Sequence, residues 1–223
     1  MFIQKPNYTF SDLIALMAYL RSPDGCPWDG EQTHSSIRQN LLEEAYEVAE
    51  AIDTGNTDSL CEELGDLLLQ IVFHADIAEI SIDTIAHGIT AKLVSRHPHL
   101  FGDVSVDGAE QVLLNWEHIK RQEKAQLTLG DELRGIARSL PALMRAQKMC
   151  KKLQRAGDHA AGDNRVVLGQ SGINNKSPGE ISKEVTKGGS LVDKLWALCH
   201  EATAAGVDLE QELYARCEEA LGV

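Results

Sequence analysis

Apolar side chains recur every three or four positions through most of residues 35 to 126, which is the spacing of one face of an α-helix. Short polar or proline-containing stretches such as TGNTD and HPHLFGDVSVDG interrupt this spacing. No stretch shows sustained alternation with strand composition, and aromatic residues make up only 5% of the chain. The sequence therefore predicts an all-α protein in which helices pack through aliphatic side chains.

The helical pattern begins near the N-terminus and continues to the last residues. Ser11 is the predicted N-cap of a first helix, which SPDGCPWDG ends. Further helices are predicted at about 35–53, 58–80, 83–96 and 109–126, and in RSLPALMRAQKMCKKLQRAG. Residues 158–188 are polar and rich in Gly, Asn, Ser and Lys, which predicts a flexible segment. Two short helices, at about 190–204 and 208–221, follow it.

Charge and cysteine content exclude several classes of protein. The formal net charge is −13 and the sequence pI is about 5.0, which argues against a nucleic-acid or membrane-surface partner. The five cysteines are odd in number and widely spaced, as expected of reduced thiols. No signal sequence and no apolar run of about 18 residues are present. We expect a cytoplasmic protein that is neither exported nor inserted in a bilayer.

Two acid-rich runs lie on the predicted helices that flank TGNTD. On a helical wheel each run carries an i,i+3 carboxylate pair at one side of an apolar arc. The first pair is Glu44 and Glu47, and its arc includes Val48 and Ile52; the second is Glu63 and Asp66, and its arc includes Leu64 and Ile71. A short connection favours antiparallel packing through these arcs. The two pairs are then expected to converge at one edge of the helix interface.

Four carboxylates at close range need a counter-charge, because like charges raise one another's pKa. No lysine or arginine occurs between Arg38 and Lys92, so neither helix contains a pairing cation. A divalent cation would supply the charge, and all-oxygen ligands suit Mg²⁺, with Mn²⁺ as a substitute, better than zinc. The sequence thus predicts a metal site, and solvated surface acids are the alternative.

The same residues resemble a known family. EEAYE at 43–47 followed by ELGD at 63–66 resembles the EExxE and ExxD motifs of the all-α nucleoside triphosphate pyrophosphohydrolases, and of MazG in particular. LRSPDGCPWDGEQTH, RHPHLFGD, NWEHIKRQEK and RSLPALMRAQK look like further MazG segments in the same order, over about residues 10–156. The resemblance implies a dimeric helical bundle. It also implies hydrolysis of a nucleoside triphosphate between its α and β phosphates, which gives the monophosphate and pyrophosphate.

The resemblance implies roles for individual residues. The positions of the Mg²⁺ ligands are occupied by Glu44, Glu47, Glu63 and Asp66. Glu43 is an added ligand or a candidate base for the attacking water. Positions that contact the nucleotide carry Lys92, Arg96 and Lys120, assigned to the phosphates, and Trp116, assigned to base or sugar stacking. The pairs at 92 and 96 and at 116 and 120 each share a helix face.

One further segment, CPWDGEQTH, is placed by the resemblance at the base end of the nucleotide pocket. This would put Trp28, Asp29 and His34 beside the substrate, while a rigid turn filled by Trp28 is the alternative. Near the end of the second predicted helix, His74 is expected to be an ordinary helix-face residue. His97 and His99 lack further ligands and are expected to pack or cap rather than bind metal.

MazG proteins commonly carry two related bundles, and a second copy is predicted here in degenerate form. An offset of 127 positions aligns Asp193 with Asp66 and Val207 with Ile80. Ser190 then stands in the place of Glu63, so no metal site is expected in this copy. The predicted organisation is a MazG-like domain at 1–130, a linking helix at 131–157, the flexible segment at 158–188 and the degenerate repeat at 189–223.

Two other functional classes were weighed against a pyrophosphohydrolase. A nucleotide-sensing or partner-binding module with vestigial hydrolysis is disfavoured by the intact carboxylate set. A ferritin-like di-iron bundle needs Glu-x-x-His on helices, and the one such spacing, Glu31 to His34, lies in or beside a Pro/Gly turn. The base and sugar preference depends on the shape of the pocket. Removal of damaged nucleotides, control of nucleotide or alarmone levels, and a role tied to a partner are all compatible with the sequence.

Overall fold

The computed structural model of the protein describes residues 2–124, 128–162 and 190–221. Within these ranges every regular element is a helix, which confirms the predicted all-α class. None of the helices described is both long and apolar enough to cross a membrane. The contacts divide the chain into two compact units, Met1–Val104 and Ser105–Val223. The predicted domain boundaries stay predictions. Of the predicted flexible segment, residues 158–162 end a helix and the rest lies outside the described residues.

The first unit is built from a helix hairpin and the shorter helices beside it. Its helices are α1 (Phe10–Leu20), α2 (Pro27–Glu31), α3 (Arg38–Thr54), α4 (Thr57–Ile77), α5 (Ile82–Arg96) and α6 (Pro98–Phe101). Gly55 ends α3 with a φ of 68°, a left-handed conformation that glycine adopts without steric cost. Asn56 then caps α4 by accepting hydrogen bonds from two backbone N–H groups. This short turn lets α3 and α4 pack against each other.

The core of the first unit lies where α1 meets α4. Met17, Val72 and Phe73 are buried there together with Ile37, which precedes α3. At the end of α1 the Arg21 guanidinium donates to the Asp76 carboxylate at 2.7 Å and lies over the Phe73 ring. The apolar cluster and this ion pair therefore hold α1 on the face of α4.

Two details of the predicted helices are wrong. The N-cap of α1 is Thr9 and not Ser11, because the Asp12 carboxylate accepts hydrogen bonds from both the Thr9 N–H and its hydroxyl, each at 2.8 Å. The apolar arcs of α3 and α4 are only partly buried, since Ile52, Leu64 and Ile71 are exposed. Helical periodicity identifies the apolar face but does not provide a partner for all of it.

The second unit surrounds one long helix. Its described helices are α7 (Ala109–Glu123), α8 (Leu129–Arg134), α9 (Ala142–Gly162), α10 (Leu191–Ala205) and α11 (Leu209–Leu221). Helices α8, α10 and α11 all contact α9. Cys150 of α9 and Cys199 of α10 are completely buried, and burial raises the pKa of the Cys150 thiol to about 11. All five cysteines are free thiols, as expected from the sequence.

The turn that ends α10 repeats the turn that ends α4. The N–H of Ile80 bonds the carbonyl five residues before it at 3.0 Å, and the N–H of Val207 does the same at 2.8 Å. The residues just before them, Glu79 and Gly206, both have positive φ, of 53° and 74°. The two turns lie 127 positions apart, which is the offset of the sequence alignment. This geometry supports the predicted second repeat.

Candidate metal centre

Three of the predicted metal ligands come together between α3 and α4. One carboxylate oxygen each from Glu44, Glu63 and Asp66 can be chosen so that all lie within 4.8 Å of one another. Glu63 and Asp66 are one turn apart on α4, and Glu44 reaches them from α3. Glu44 and Glu63 are partly buried, whereas Asp66 is exposed. The helix hairpin therefore concentrates negative charge at one edge of the α3–α4 interface.

Glu47, the fourth predicted ligand, interacts with Glu44 and with Glu63. Partial burial raises the pKa of Glu44, and the Asp66 charge and a hydrogen bond with Glu47 raise it further. Burial and then the Glu47 charge raise the pKa of Glu63, with smaller contributions from Glu62, Asp66 and Glu50. Glu47 thus acts on carboxylates of both helices. Its role as a ligand, and the role of the exposed Glu43, stay predictions.

The donor set fits a hard divalent cation. It consists of carboxylate oxygens alone, which Mg²⁺ and Mn²⁺ prefer and which suit zinc less well. Burial, and after it the charges of neighbouring carboxylates, raise the pKa of Glu44 and of Glu63, so their ionised forms are disfavoured without a counter-charge. Neither helix carries a lysine or arginine beyond Arg38, so the sequence supplies no pairing side chain between residues 39 and 91. Glu44, Glu63 and Asp66 are the residues that would hold the metal.

The raised pKa values predict how the metal-free protein responds to pH. Between the ordinary value of 4.5 and the raised values, folded Glu44 and Glu63 bind more protons than the unfolded chain does. Their contribution to the free energy of unfolding is therefore greatest below pH 4.5 and declines as the pH rises through the raised values. Urea unfolding in EDTA, for wild type and the Glu44→Gln/Glu63→Gln double variant, measures this contribution.

The difference between the two proteins isolates the two carboxyl groups from other titrations. We expect wild type to lose stability relative to the double variant as the pH increases from 4.5 to 7, and added Mg²⁺ to reverse the loss. Parallel stability curves for the two proteins would contradict the raised pKa values.

The predicted nucleotide contacts lie on α5 and α7. Lys92 and Arg96 belong to α5, in the same unit as the carboxylates, and the Lys92 side chain is exposed. On α7 the Lys120 ammonium lies 4.5 Å from the centre of the Trp116 ring and 3.9 Å from a carboxylate oxygen of Glu117. Trp116 and Lys120 therefore share a helix face, as expected. The assignment of these four side chains to the nucleotide stays a prediction.

The turn around Trp28 is rigid, but Trp28 does not fill it. The Trp28 side chain is 61% exposed on α2. Arg21 instead fixes the turn, because its guanidinium donates to the backbone carbonyl of Asp29. The alternative in which Trp28 fills the turn therefore does not fit the structure, and a place for Trp28 in the substrate pocket stays a prediction.

One contact near this turn was missed by sequence reasoning. The Nδ1 atoms of His34 and His74 lie 2.8 Å apart, so one ring donates a hydrogen bond to the other, and the rings are stacked. Burial and the His34 charge lower the pKa of His74. The two residues are distant in sequence and neither motif nor periodicity links them. In contrast, His97 has a capping role as expected, since its Nδ1 donates to the Leu93 carbonyl.

The second repeat uses the residue aligned with Asp66 for a different purpose. The Asp193 carboxylate accepts hydrogen bonds from the Ser190 N–H at 2.9 Å and from its hydroxyl at 2.8 Å. The Ser190 hydroxyl in turn accepts from the Asp193 N–H, which completes a capping box at the start of α10. This supports the expectation that the second repeat holds no metal.

The segment that contains the carboxylate cluster is similar to known proteins. A family model described as the MazG nucleotide pyrophosphohydrolase domain matches residues 32–101. A protein of Escherichia coli K12 called nucleoside triphosphate pyrophosphohydrolase is 47% identical over 150 residues, which are 65% of this chain and 57% of the relative. A Thermotoga maritima protein called nucleoside triphosphate pyrophosphohydrolase/pyrophosphatase MazG is 42% identical over 159 residues, 70% of this chain and 60% of the relative.

Not every relative has an assigned activity. An uncharacterised Bacillus subtilis protein, YabN, is 46% identical over 148 residues, which are 65% of this chain but only 30% of the relative. The aligned part of the chain thus spans between about a third and three fifths of the length of these curated relatives.

Proposed function

Since the chain belongs to the MazG family through residues 32–101, we propose that it hydrolyses nucleoside triphosphates to the monophosphate and pyrophosphate with Mg²⁺ as cofactor. Mn²⁺ is the expected substitute. The observation that carries the proposal is the convergence of Glu44, Glu63 and Asp66, because phosphoryl transfer depends on positioned positive charge around the phosphates.

Each side chain has a role in this mechanism. Glu44, Glu47, Glu63 and Asp66 would hold the metal, which when bound would polarise phosphoryl oxygens and lower the pKa of a bound water. Glu43 is an added ligand or the candidate base, which would orient the attacking water and accept its proton as the water oxygen bonds to the α-phosphorus. Lys92 and Arg96 would neutralise phosphate oxygens. For Lys120 a phosphate contact, and for Trp116 stacking on the base or sugar, are the roles that the family resemblance implies. Pyrophosphate leaves as the α–β phosphoanhydride bond breaks.

A direct assay tests this function. Purified protein is incubated with Mg²⁺ and a panel of ribonucleoside and deoxyribonucleoside triphosphates, and pyrophosphate and phosphate are measured separately. We expect pyrophosphate with one nucleoside monophosphate per molecule hydrolysed, and no release in EDTA. Release of phosphate alone would contradict cleavage between the α and β phosphates. The spread of rates across the panel would report the base and sugar preference.

A catalytically weak nucleotide-sensing or partner-binding module on the same fold is the second candidate. The Lys120 ammonium, 4.5 Å from the centre of the Trp116 ring, and the ring itself offer a cation and an aromatic surface whether or not a nucleotide is hydrolysed. Saturable nucleotide binding without pyrophosphate release would favour that module. Under the enzymatic proposal, the physiological role is nucleotide-pool housecleaning or regulation. Because its five cysteines are free thiols, the protein suits the reducing cytoplasm.

We also propose that the protein is a homodimer and that α5 contributes to its interface. Ile85, Ile89 and Leu93 recur at every fourth position of α5, and all three are exposed. A stripe of this kind on a helix of a soluble domain indicates a protein interface. The exposed Leu64 and Ile71 on α4 add apolar surface in the same unit.

Replacing an apolar residue of this stripe by a charged one is expected to weaken the dimer. Ile89 is 52% exposed, and Ile89→Asp would bury an unpaired carboxylate in the interface, with a predicted loss of about a hundredfold in dimer affinity. Ile3→Asp is the control, since Ile3 is 77% exposed and precedes the first helix. Light scattering coupled to gel filtration would show monomer for the first variant and dimer for the second. A dimeric Ile89→Asp variant would place the interface elsewhere.

A further inference from the structure

The sequence offset aligns α4 and α5 with α10 and α11, and α1 packs on α4 as α9 packs on α10. In the first unit, Met17 of α1 is buried against Val72 of α4. In the second unit the completely buried Cys150 and Cys199 belong to α9 and α10, which pack together. Val72 and Cys199 lie 127 positions apart, which is also the separation of the two turns. Met17 and Cys150 lie 133 positions apart. This register identifies equivalent positions in the two units.

In the second unit a side-chain amide fills the space between the first helix and the turn. Gln147 of α9 is 5% exposed; its Nε2 donates to the Val207 carbonyl at 2.7 Å, and its Oε1 accepts from the Leu209 N–H at 3.0 Å. Leu209 is the first residue of α11, so its N–H has no partner inside the helix. The amide therefore satisfies one acceptor and one donor of the turn at the same time.

The equivalent place in the first unit has no such amide. The register puts Ile14 in the place of Gln147, Ile80 in that of Val207 and Ile82 in that of Leu209. An isoleucine side chain can neither donate nor accept a hydrogen bond. Instead, a cavity of about 550 Å³ that is half open to solvent is present, and Ile14, Ile80 and Ile82 all line it. This volume is within the range of small-molecule sites.

The charges around the cavity restrict what it can hold. Asp76, Glu79 and Asp83 line it, and the one basic lining residue, Arg21, is already paired with Asp76 at 2.7 Å. An anionic ligand such as a nucleotide would be repelled. Six of the eleven lining residues are aliphatic, and the Gln147 amide that occupies the equivalent place in the second unit is neutral. Both observations favour a neutral molecule.

We propose that this cavity is a second ligand site, which binds a small neutral molecule with an adjacent hydrogen-bond donor and acceptor, as in a carboxamide or the edge of a nucleobase. The ligand donates to the Ile80 carbonyl and accepts from the Ile82 N–H, and so replaces the amide that Gln147 supplies in the second unit. The site lies at the C-terminal end of α4. Its first lining residue there, Val72, is six residues and about 9 Å along the helix axis beyond Asp66, and the site shares no residue with the metal centre.

Two matched pairs of probes test the hydrogen-bond requirement and distinguish the two ligand classes. Nicotinamide is compared with methyl nicotinate, which lacks the N–H donor, and adenosine with purine riboside, which lacks the amino group. Backbone amide NMR of the full chain follows the Ile82 N–H during each titration. We expect a saturable shift of this resonance with nicotinamide, adenosine or both, and at least tenfold weaker binding of the matched analogue. The proposal would be overturned if the two members of each pair shifted the Ile82 N–H resonance equally. It would also be overturned if neither nicotinamide nor adenosine shifted that resonance at up to about 10 mM.

A substitution that restores the missing amide tests the repeat argument. The Ile14→Gln variant should shift the Ile82 N–H without any ligand and weaken probe binding at least tenfold. Ile14→Leu keeps the aliphatic wall and should bind within threefold of wild type. The spectrum of each variant reports whether that variant is folded. If Ile14→Gln does not fold, the probe comparison on the wild-type protein still tests the proposal. A folded Ile14→Gln variant that binds the donor probe as tightly as wild type would overturn the site.

Discussion

The Glu63→Gln variant is expected to release pyrophosphate at about one thousandth of the wild-type rate. Glutamine has nearly the same shape but no charge, so it removes one anionic ligand from the cluster formed with Glu44 and Asp66. A bound metal contributes several kcal/mol of transition-state charge stabilisation, and about 4 kcal/mol corresponds to a thousandfold in rate. The measurement is kcat/KM for the best triphosphate over a range of Mg²⁺ concentrations.

The neighbouring glutamate provides a matched control. Glu62 is exposed on the same turn of α4, and it is not among the three carboxylates that converge. Glu62→Gln removes the same charge and should keep activity within about threefold, because surface charges contribute little. An equal loss of activity in both variants would mean that the effect comes from the change in net charge. Activity of Glu63→Gln within tenfold of wild type would contradict the proposed ligand set.

The second large effect concerns stability. Met17→Ala should lower the free energy of unfolding by about 2–5 kcal/mol, because a buried methionine loses its contacts and leaves a cavity. Met17 is 2% exposed and packs with Ile37, Val72 and Phe73. Urea unfolding followed by circular dichroism measures the change.

Two controls separate packing from side-chain identity. Met17→Leu nearly conserves volume and should cost less than about 1.5 kcal/mol. Met144→Ala makes the same chemical change at an exposed position of α9 and should have an effect of about 0.5 kcal/mol or less. A loss below about 1 kcal/mol for Met17→Ala would show that the core lies elsewhere.

The parts of the site that were predicted are those that depend on one hairpin. A helical wheel is enough to place Glu44 beside Glu63 and Asp66, because the turn at Gly55 and Asn56 is too short for any arrangement but antiparallel packing. The start of α1 shows the limit of local rules. Thr9 and Ser11 are both acceptable caps, and the choice depends on which of them the Asp12 side chain reaches.

Features that depend on distant parts of the chain were not predictable in the same way. The pairing of His34 with His74 requires knowledge of where the turn before α3 meets α4. Periodicity does not predict that Ile52 is exposed. The spacing of apolar residues is the same whether the face packs against this chain or against another molecule. The role of Gln147 likewise depends on its bonds to Val207 and Leu209, which are 60 and 62 positions away in the sequence.

The short turn between α3 and α4 also has a consequence for how the protein is made. The three converging carboxylates belong to one contiguous stretch, Glu44 to Asp66, so their approach requires closure of a small loop and few contacts distant in sequence. Low contact order favours fast folding, and helix hairpins assemble on short timescales. We therefore expect the carboxylate cluster to form while the ribosome is still synthesising the second unit. A nascent chain released soon after α4 would already be able to capture a divalent ion.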